Sequence, residues 1–279
     1  MPSIDQNIKK WDYKFRNFIE DEDYGYRWSE AWGGPLLQWY STIFPRIERC
    51  LPSKHIYEIG SGLGRWSEFL KHYCTYLTLS DISDQSFEFL SNKYENEKNI
   101  VVIKTNGTQL NSEPKIDFLF SFDSLVHSDF EVISSYIQEY KKKSSHKSFF
   151  FFHHSNLKSC SRNVIENMQN GWRSKNVSSI NVRDKVLELN LNLLYQELID
   201  WGSVREYLDC LTLISHKGTF TSSQVDKNKT FMLKAKKVKE CKDKLNRIYN
   251  LIYSLRCSKL IPFRLEKRTI LFINKIYGI

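Results

Sequence analysis

The sequence predicts an α/β protein built on a doubly wound, Rossmann-like sheet of seven mostly parallel strands. Three observations predict it. Short apolar runs alternate with amphipathic helices from Lys54 onward, one strand runs into a glycine-rich turn at Gly60, and a carboxylate, Asp81, ends the next strand. The 279 residues are 41% hydrophobic and 26% charged, which supplies one well-filled domain and argues against a disordered chain.

Residues 1–50 are expected to form a helical, aromatic lid, since Trp11, Tyr13, Phe15, Phe18, Tyr24, Tyr26, Trp28 and Trp32 crowd its first part. Gly33-Gly34-Pro35 breaks this segment, and Leu36 to Cys50 reads as one amphipathic helix. His55 to Ile59 is the first strand and Arg65 to Tyr73 a helix; Tyr76 to Ser80 is the second strand and Ser86 to Tyr94 a helix. Ile100 to Lys104 and Ile116 to Ser121 follow as strands, Glu131 to Lys142 as a helix, and Ser148 to Phe152 as the fifth strand. Residues 157–190 lose periodicity and are expected to hold a helix and an acceptor-side insertion. Leu193 to Ile199 and Cys210 to Ser215 then close the sheet as an antiparallel pair, joined by a turn at Trp201-Gly202. The core domain is expected over residues 51–233, with a basic tail over 234–279.

Charge is unevenly placed. Residues 234–279 hold thirteen Lys/Arg and three Asp/Glu, a net +10, so the rest of a chain of total charge +9 is close to neutral at about −1. A basic core gripping nucleic acid is therefore not expected. The six cysteines include no CxxC pair, which excludes a disulfide framework and a zinc site. The polar first residues and the lack of an 18-residue apolar run predict neither secretion nor a membrane span, and a cytoplasmic protein is expected.

The chemistry begins at Glu58-Ile59-Gly60-Ser61-Gly62-Leu63-Gly64-Arg65-Trp66. Glycines suit a turn with unusual φ and ψ where a ligand must approach bare backbone. The spacing is GxGxG, not the GxGxxG that cradles a pyrophosphate. Glu58 would repel a pyrophosphate but suits the cationic amino-acid end of S-adenosylmethionine. Asp81, with Ile82 beside it, lies where a carboxylate accepts both ribose hydroxyls, and Asn106-Gly107 follows the third strand, where an amide meets the adenine edge. Ser121 closes the fourth strand on the same side of the sheet.

Together with Ser121-Phe-Asp-Ser-Leu-Val-His127, Phe152-His-His-Ser-Asn-Leu157, Gln196-Glu197 and Trp201-Gly202, this segment resembles class I methyltransferases that use S-adenosylmethionine, in particular bacterial sugar O-methyltransferases linked to surface polysaccharides. Trp28 and Trp32-Gly33 fit the same pattern. The resemblance spans roughly residues 20–215. It implies methyl transfer to a hydroxyl, or a phosphate-type oxygen, of a glycan or its precursor.

Ligands of open α/β sheets sit at the carboxyl ends of the strands. Asp123, His127, His153 and His154 fall there. An alcohol acceptor must lose a proton, and a near-neutral imidazole suits that step. His154 is expected to be the base, because His153 continues the strand; His127 is the second candidate, and Asp123 would orient an imidazole or the acceptor. Ser155 and Asn156 offer groups that read sugar hydroxyls, and Trp172-Arg173 would stack on a sugar and hold an anion. No spacing supports a metal site.

In the tail, Leu245, Ile248, Ile252 and Leu255 recur at helical spacing, and Ile270, Phe272, Ile273 and Ile276 lie between cations beyond Ile261-Pro262. Such helices lie on anionic membranes, here the inner face, or dock on their own domain or a second copy. The aromatics are not interleaved as stacking platforms for nucleic acid. The tail is expected to be dispensable for folding and chemistry. A macromolecular acceptor, RNA or protein, held by the tail is the alternative to a glycan.

Overall fold

The computed structural model describes residues 3–111, 115–167, 173–202, 206–216 and 225–279. Eight strands form one mixed sheet: β1 (Ser53–Ile59), β2 (Cys74–Asp81), β3 (Ile100–Lys104), β4 (Ile116–Ser121), β5 (Ser144–Ser155), β6 (Asn192–Ile199), β7 (Asp209–Ser215) and β8 (Val225–Asn228). Their order is β3-β2-β1-β4-β5-β7-β6-β8. The first five are parallel to one another, and β7 runs antiparallel between β5 and β6. The chain reverses its direction across the sheet between β1 and β4, which opens a crevice at their carboxyl ends.

The eighth strand corrects the expected seven. It pairs parallel with β6, Gln196 opposite Val225 and Ile199 opposite Asn228, and covers an edge that would otherwise present unpaired backbone. With Asp226, Lys227 and Asn228 among its four residues, it carries no hydrophobic periodicity by which to find it.

The helices are α1 (Ile4–Glu20), α2 (Pro35–Gln38), α3 (Phe44–Ile47), α4 (Ser67–Leu70), α5 (Asp84–Lys93), α6 (Phe130–Lys143), α7 (Arg162–Asn167), α8 (Ser179–Glu188), α9 (Phe231–Glu240), α10 (Lys242–Cys257) and α11 (Phe263–Tyr277). A capping box starts α1: Ser3 accepts from the Gln6 amide while the Gln6 side chain accepts from the Ser3 amide. The single helix expected from Leu36 to Cys50 is instead α2, a π turn over Trp39–Ile43, α3 and a 3-10 turn over Glu48–Cys50. Pro45 lacks the N–H that would bond back to Ser41, and the widened turn absorbs that missing donor.

Two apolar cores flank the sheet. One side packs Tyr57, Leu119, Phe150 and Phe152 against Ile133, Ile137 and Tyr140 of α6 and Val182 and Val186 of α8. The other packs Ile56, Leu77, Phe118 and Phe120 against Trp39, Tyr40, Phe44 and Leu70, and continues into Ala235, Val238, Leu245, Tyr249, Ile252, Ile270 and Ile273. The tail is thus part of the larger core. Leu245, Ile252, Ile270 and Ile273 of its apolar stripes are buried against its own domain, while Phe272 and Ile276 face outward; Asn274 donates to the Tyr40 carbonyl at 2.9 Å, and Tyr73 donates to Glu266 at 2.5 Å.

Candidate active site

A cavity of about 520 Å³ opens at the carboxyl ends of β1, β2 and β4. Its floor is the glycine turn. Gly60 has φ +68°, and a Cβ there would stand 1.8 Å from the Ser124 Oγ, so no other residue fits without moving that loop. The Asp81 carboxylate is tied to the turn: Oδ2 accepts from the Gly62 amide at 2.8 Å and Oδ1 from the Ser83 amide at 2.9 Å. Burial raises its pKa. Gly60, Ser61, Gly62, Arg65, Trp66, Asp81, Ile82 and Gly107 all line the cavity.

Four of the expected cofactor contacts lie elsewhere. Glu58 is buried behind the turn, where Ser67 Oγ donates to it at 2.5 Å, and burial pushes its pKa up to about 8. It is absent from the cavity wall. Gly64 packs toward Leu90, which a Cβ would meet at 3.0 Å. Ser121 Oγ donates to the Ile59 carbonyl at 3.1 Å, fastening β4 to β1. Asn106 spends its side-chain oxygen on the Thr108 and Gln109 amides, and Thr105, Gly107 and Thr108 form the wall in its place.

At the other end, Asp123 follows β4 with φ +63°, a left-handed conformation costly for a non-glycine residue and typical of residues held for function. It anchors a buried chain of charges. Arg65 donates to Asp123 Oδ2 at 2.6 Å and to Ser29 Oγ at 3.1 Å, and its guanidinium lies 4.3 Å from the Trp66 ring centroid. His153 Nδ1 lies 3.1 Å from Asp123 Oδ1, and its Nε2 is 3.2 Å from Asp209 Oδ2, an ion-pair contact rather than an aligned hydrogen bond. Asp209 in turn accepts from Arg173 at 2.7 and 2.8 Å and from Trp201 Nε1 at 2.5 Å.

Burial alone would deprotonate His153, but the carboxylates on either side outweigh it and raise its pKa to about 9. Burial would likewise raise Asp123, yet His153 and Arg65 hold it down at about 2. Asp209 is lowered by Arg173 and His153 against the same burial penalty. At neutral pH the chain alternates in sign: Arg65, Asp123, His153, Asp209, Arg173.

The base expected at His154 is corrected by β5 itself. The strand extends to Ser155, so His153 and His154 point to opposite faces. His154 is wholly buried beside Phe152, with Nε2 2.8 Å from Thr212 Oγ1 and Nδ1 2.8 Å from the Ser155 carbonyl, and burial lowers its pKa to about 4. Ser155 and Asn156 are also buried outside the cavity. Ser155 donates to the Ser174 carbonyl, while Asn156 donates to the Tyr207 carbonyl and accepts from the Ser179 amide, so both hold loops. Arg173 serves Asp209 instead of the cavity, and Trp172 lies outside the described residues.

His127 does line the cavity, with its ring 5.2 Å from Trp11. Helix α1 forms the facing wall with Ile4, Asn7, Trp11 and Phe15, joined by Trp28. It is pinned at both ends of the crevice: Asn7 donates to the His127 carbonyl at 3.2 Å, and Asp12 accepts from Ser83 Oγ beside Asp81. Thr105, Asp129 and Glu131 also line the wall and carried no local signal of their own, whereas Asp123, Ser124 and His127 stood in one legible string.

Residues 57–152 match a family model described as a methyltransferase domain. No curated protein matches the sequence. Among solved structures, an S-adenosylmethionine-dependent methyltransferase from Clostridium acetobutylicum is 12% identical over 65% of this chain and 92% of its own, with a TM-score of 0.52. The N-methyltransferase NodS from Bradyrhizobium japonicum, in complex with S-adenosyl-L-homocysteine, is 14% identical over 66% and 89%, with a TM-score of 0.50. Magnesium protoporphyrin IX methyltransferase from Synechocystis, with bound S-adenosyl-L-homocysteine, is 14% identical over 69% and 85%, again at 0.50. Strand order, glycine turn, Asp81 and family match agree: the chain carries, over residues 57–152, a methyltransferase domain in the class I, S-adenosylmethionine-dependent fold.

Proposed function

We propose that the protein transfers a methyl group from S-adenosylmethionine to a hydroxyl of a glycan or glycan precursor. One observation carries this reading. The Gly60–Gly62 turn and Asp81 at one end, and Asp123 with His127 at the other, line a single cavity roofed by aromatic side chains. The cofactor fits the first end: bare backbone at Gly60 and Gly62 for its amino-acid end, Asp81 for the ribose hydroxyls, and Ile82, Gly107 and Thr108 around adenine. When bound, it supplies an electrophilic methyl group on a sulfonium.

The residues of the chain do the rest. Asp123, ionised throughout the physiological range, accepts from the acceptor's hydroxyl and fixes its orientation. Trp11 and Trp28 present the flat apolar faces against which a sugar ring packs, and α1 keeps water out. His127 takes the proton, since His153 already holds one up to about pH 9 and His154 faces away. A second reading, methylation of an amine, draws on the same Asp123 carboxylate, which would hold an ammonium while His127 takes its proton and frees the nitrogen lone pair for attack.

Labelled S-adenosylmethionine offered to glycan, amine, RNA and protein acceptors tests the reading. Transfer to a glycan oxygen, lost by two to four orders of magnitude in kcat in His127→Ala with cofactor affinity retained, is expected. Asp81→Ala should weaken cofactor binding at least about tenfold in calorimetry. Label found only on nitrogen, RNA or protein overturns the glycan reading.

A further inference from the structure

Helix α11 is amphipathic twice over. Its inner face, Glu266, Ile270, Ile273 and Asn274, is buried, and the contacts of Glu266 with Tyr73 and of Asn274 with Tyr40 set the rotation of the helix. That leaves Leu265, Phe272 and Ile276 outside, 55%, 63% and 63% exposed, spaced seven and four residues apart in one line along the helix. Arg264, Arg268 and Lys275 are exposed alongside them. Glu266 is the sole acidic residue of α11, and it is buried. The outward face therefore combines apolar and cationic side chains with no anion.

We propose that this face of α11 seats the protein on an anionic lipid bilayer, with the helix lying in the plane of the surface. Charge complementarity selects that occupant. Large exposed apolar side chains lined by cations match an interface that is apolar below and negatively charged above. Over its 15 residues the helix is about 22 Å long, enough for all three apolar side chains to enter one surface together. Among the described residues no helix is long and apolar enough to cross a membrane, so contact is confined to the surface. The inference does not depend on the acceptor proposed above. It narrows the membrane contact from the whole of residues 234–279 to one face of one helix, because α9 and α10 turn their apolar stripes into the core.

Full-length protein is sedimented with phosphatidylcholine vesicles, with and without phosphatidylglycerol. Binding is expected only to the anionic vesicles and should weaken with added salt. Phe272→Ser combined with Ile276→Ser should abolish it without moving Tm, because both side chains are exposed. Arg268→Glu should lower the partition about fivefold or more. Three results overturn the proposal: no sedimentation of the wild-type protein with anionic vesicles, equal binding by the double variant, or RNA binding without lipid binding. A wild-type dimer that the double variant converts to monomer, again without lipid binding, makes the face a contact between copies instead.

Discussion

At the scale of single residues, two buried groups make stability depend on pH in a readable way. Glu58 has a folded pKa of about 8 against an ordinary 4.5, so its ionisation opposes folding; stability falls as pH rises from about 4.5 through 8. His153 has its pKa raised from 6.5 to about 9, so the stability it contributes is full below about 6.5 and is lost as pH climbs through 9. Both slopes have the same sign. In urea denaturation from pH 5 to 10, the stability difference between the wild type and Glu58→Gln should fall between pH 5 and about 8, and that between the wild type and His153→Gln should fall above about 6.5; buried His154, with its pKa lowered to about 4, adds a slope of opposite sign below 6.5 that both differences cancel. A variant profile that runs parallel to the wild type across its own window would refute the corresponding assignment. His154→Ala, by contrast, should lower Tm through the lost contact with Thr212 while leaving turnover per folded molecule unchanged. Two adjacent histidines at a strand end were legible as one facing in and one facing out. Which did which depended on β5 continuing to Ser155, and the apolar run stops at Phe152. The second partner that charges His153 was illegible for a plainer reason: Asp209 is 56 residues away in sequence and meets it only in the folded chain.

At the scale of elements, the glycine turn was the most legible feature, because its requirement is local. A strand must stop, reverse within a few residues and leave its backbone bare, and glycine does this at φ +68° without strain or a side chain in the way. Gly60→Ala combines the steric overlap with Ser124 and the strain of a left-handed alanine, so cofactor affinity should fall sharply in calorimetry. Adding Ser124→Gly removes the overlap but not the strain and should restore only part of the loss; full restoration would show that the conformation itself costs little. Asp81 was legible for the same reason, standing at the end of its own strand. Asn106 was misread because an Asn after a strand serves equally as a turn former, and here its oxygen closes the turn onto Thr108 and Gln109. The π turn at Trp39–Ile43 was foreseeable from Pro45, which an amphipathic periodicity passes over.

At the scale of the whole molecule, the tail changes the account of where the domain ends. Its helical stripes were plain in the sequence, but the surface they cover was not, since Trp39, Tyr40 and Phe44 are themselves apolar residues of another helical stretch. Cutting after Leu233 would strip Ala235, Val238, Leu245, Tyr249, Ile252, Ile270 and Ile273 from the larger core. At about 1.5–3 kcal/mol for each large side chain, the loss is comparable to the entire stability of a typical domain. The truncated chain should therefore be aggregated or molten, with weak near-ultraviolet dichroism and strong dye binding; a cooperative unfolding transition would show that the tail is separable after all. The same packing has a consequence for how the protein is made. Trp39, Tyr40 and Phe44 leave the ribosome well before the helices that cover them. At about 5–20 residues per second, the stretch from Phe231 to Tyr277 takes several seconds to appear, and until then an aromatic surface stays uncovered. The nascent chain must stay soluble through that interval, so its yield in cells should depend on chaperone capacity and translation speed well before any ligand is bound.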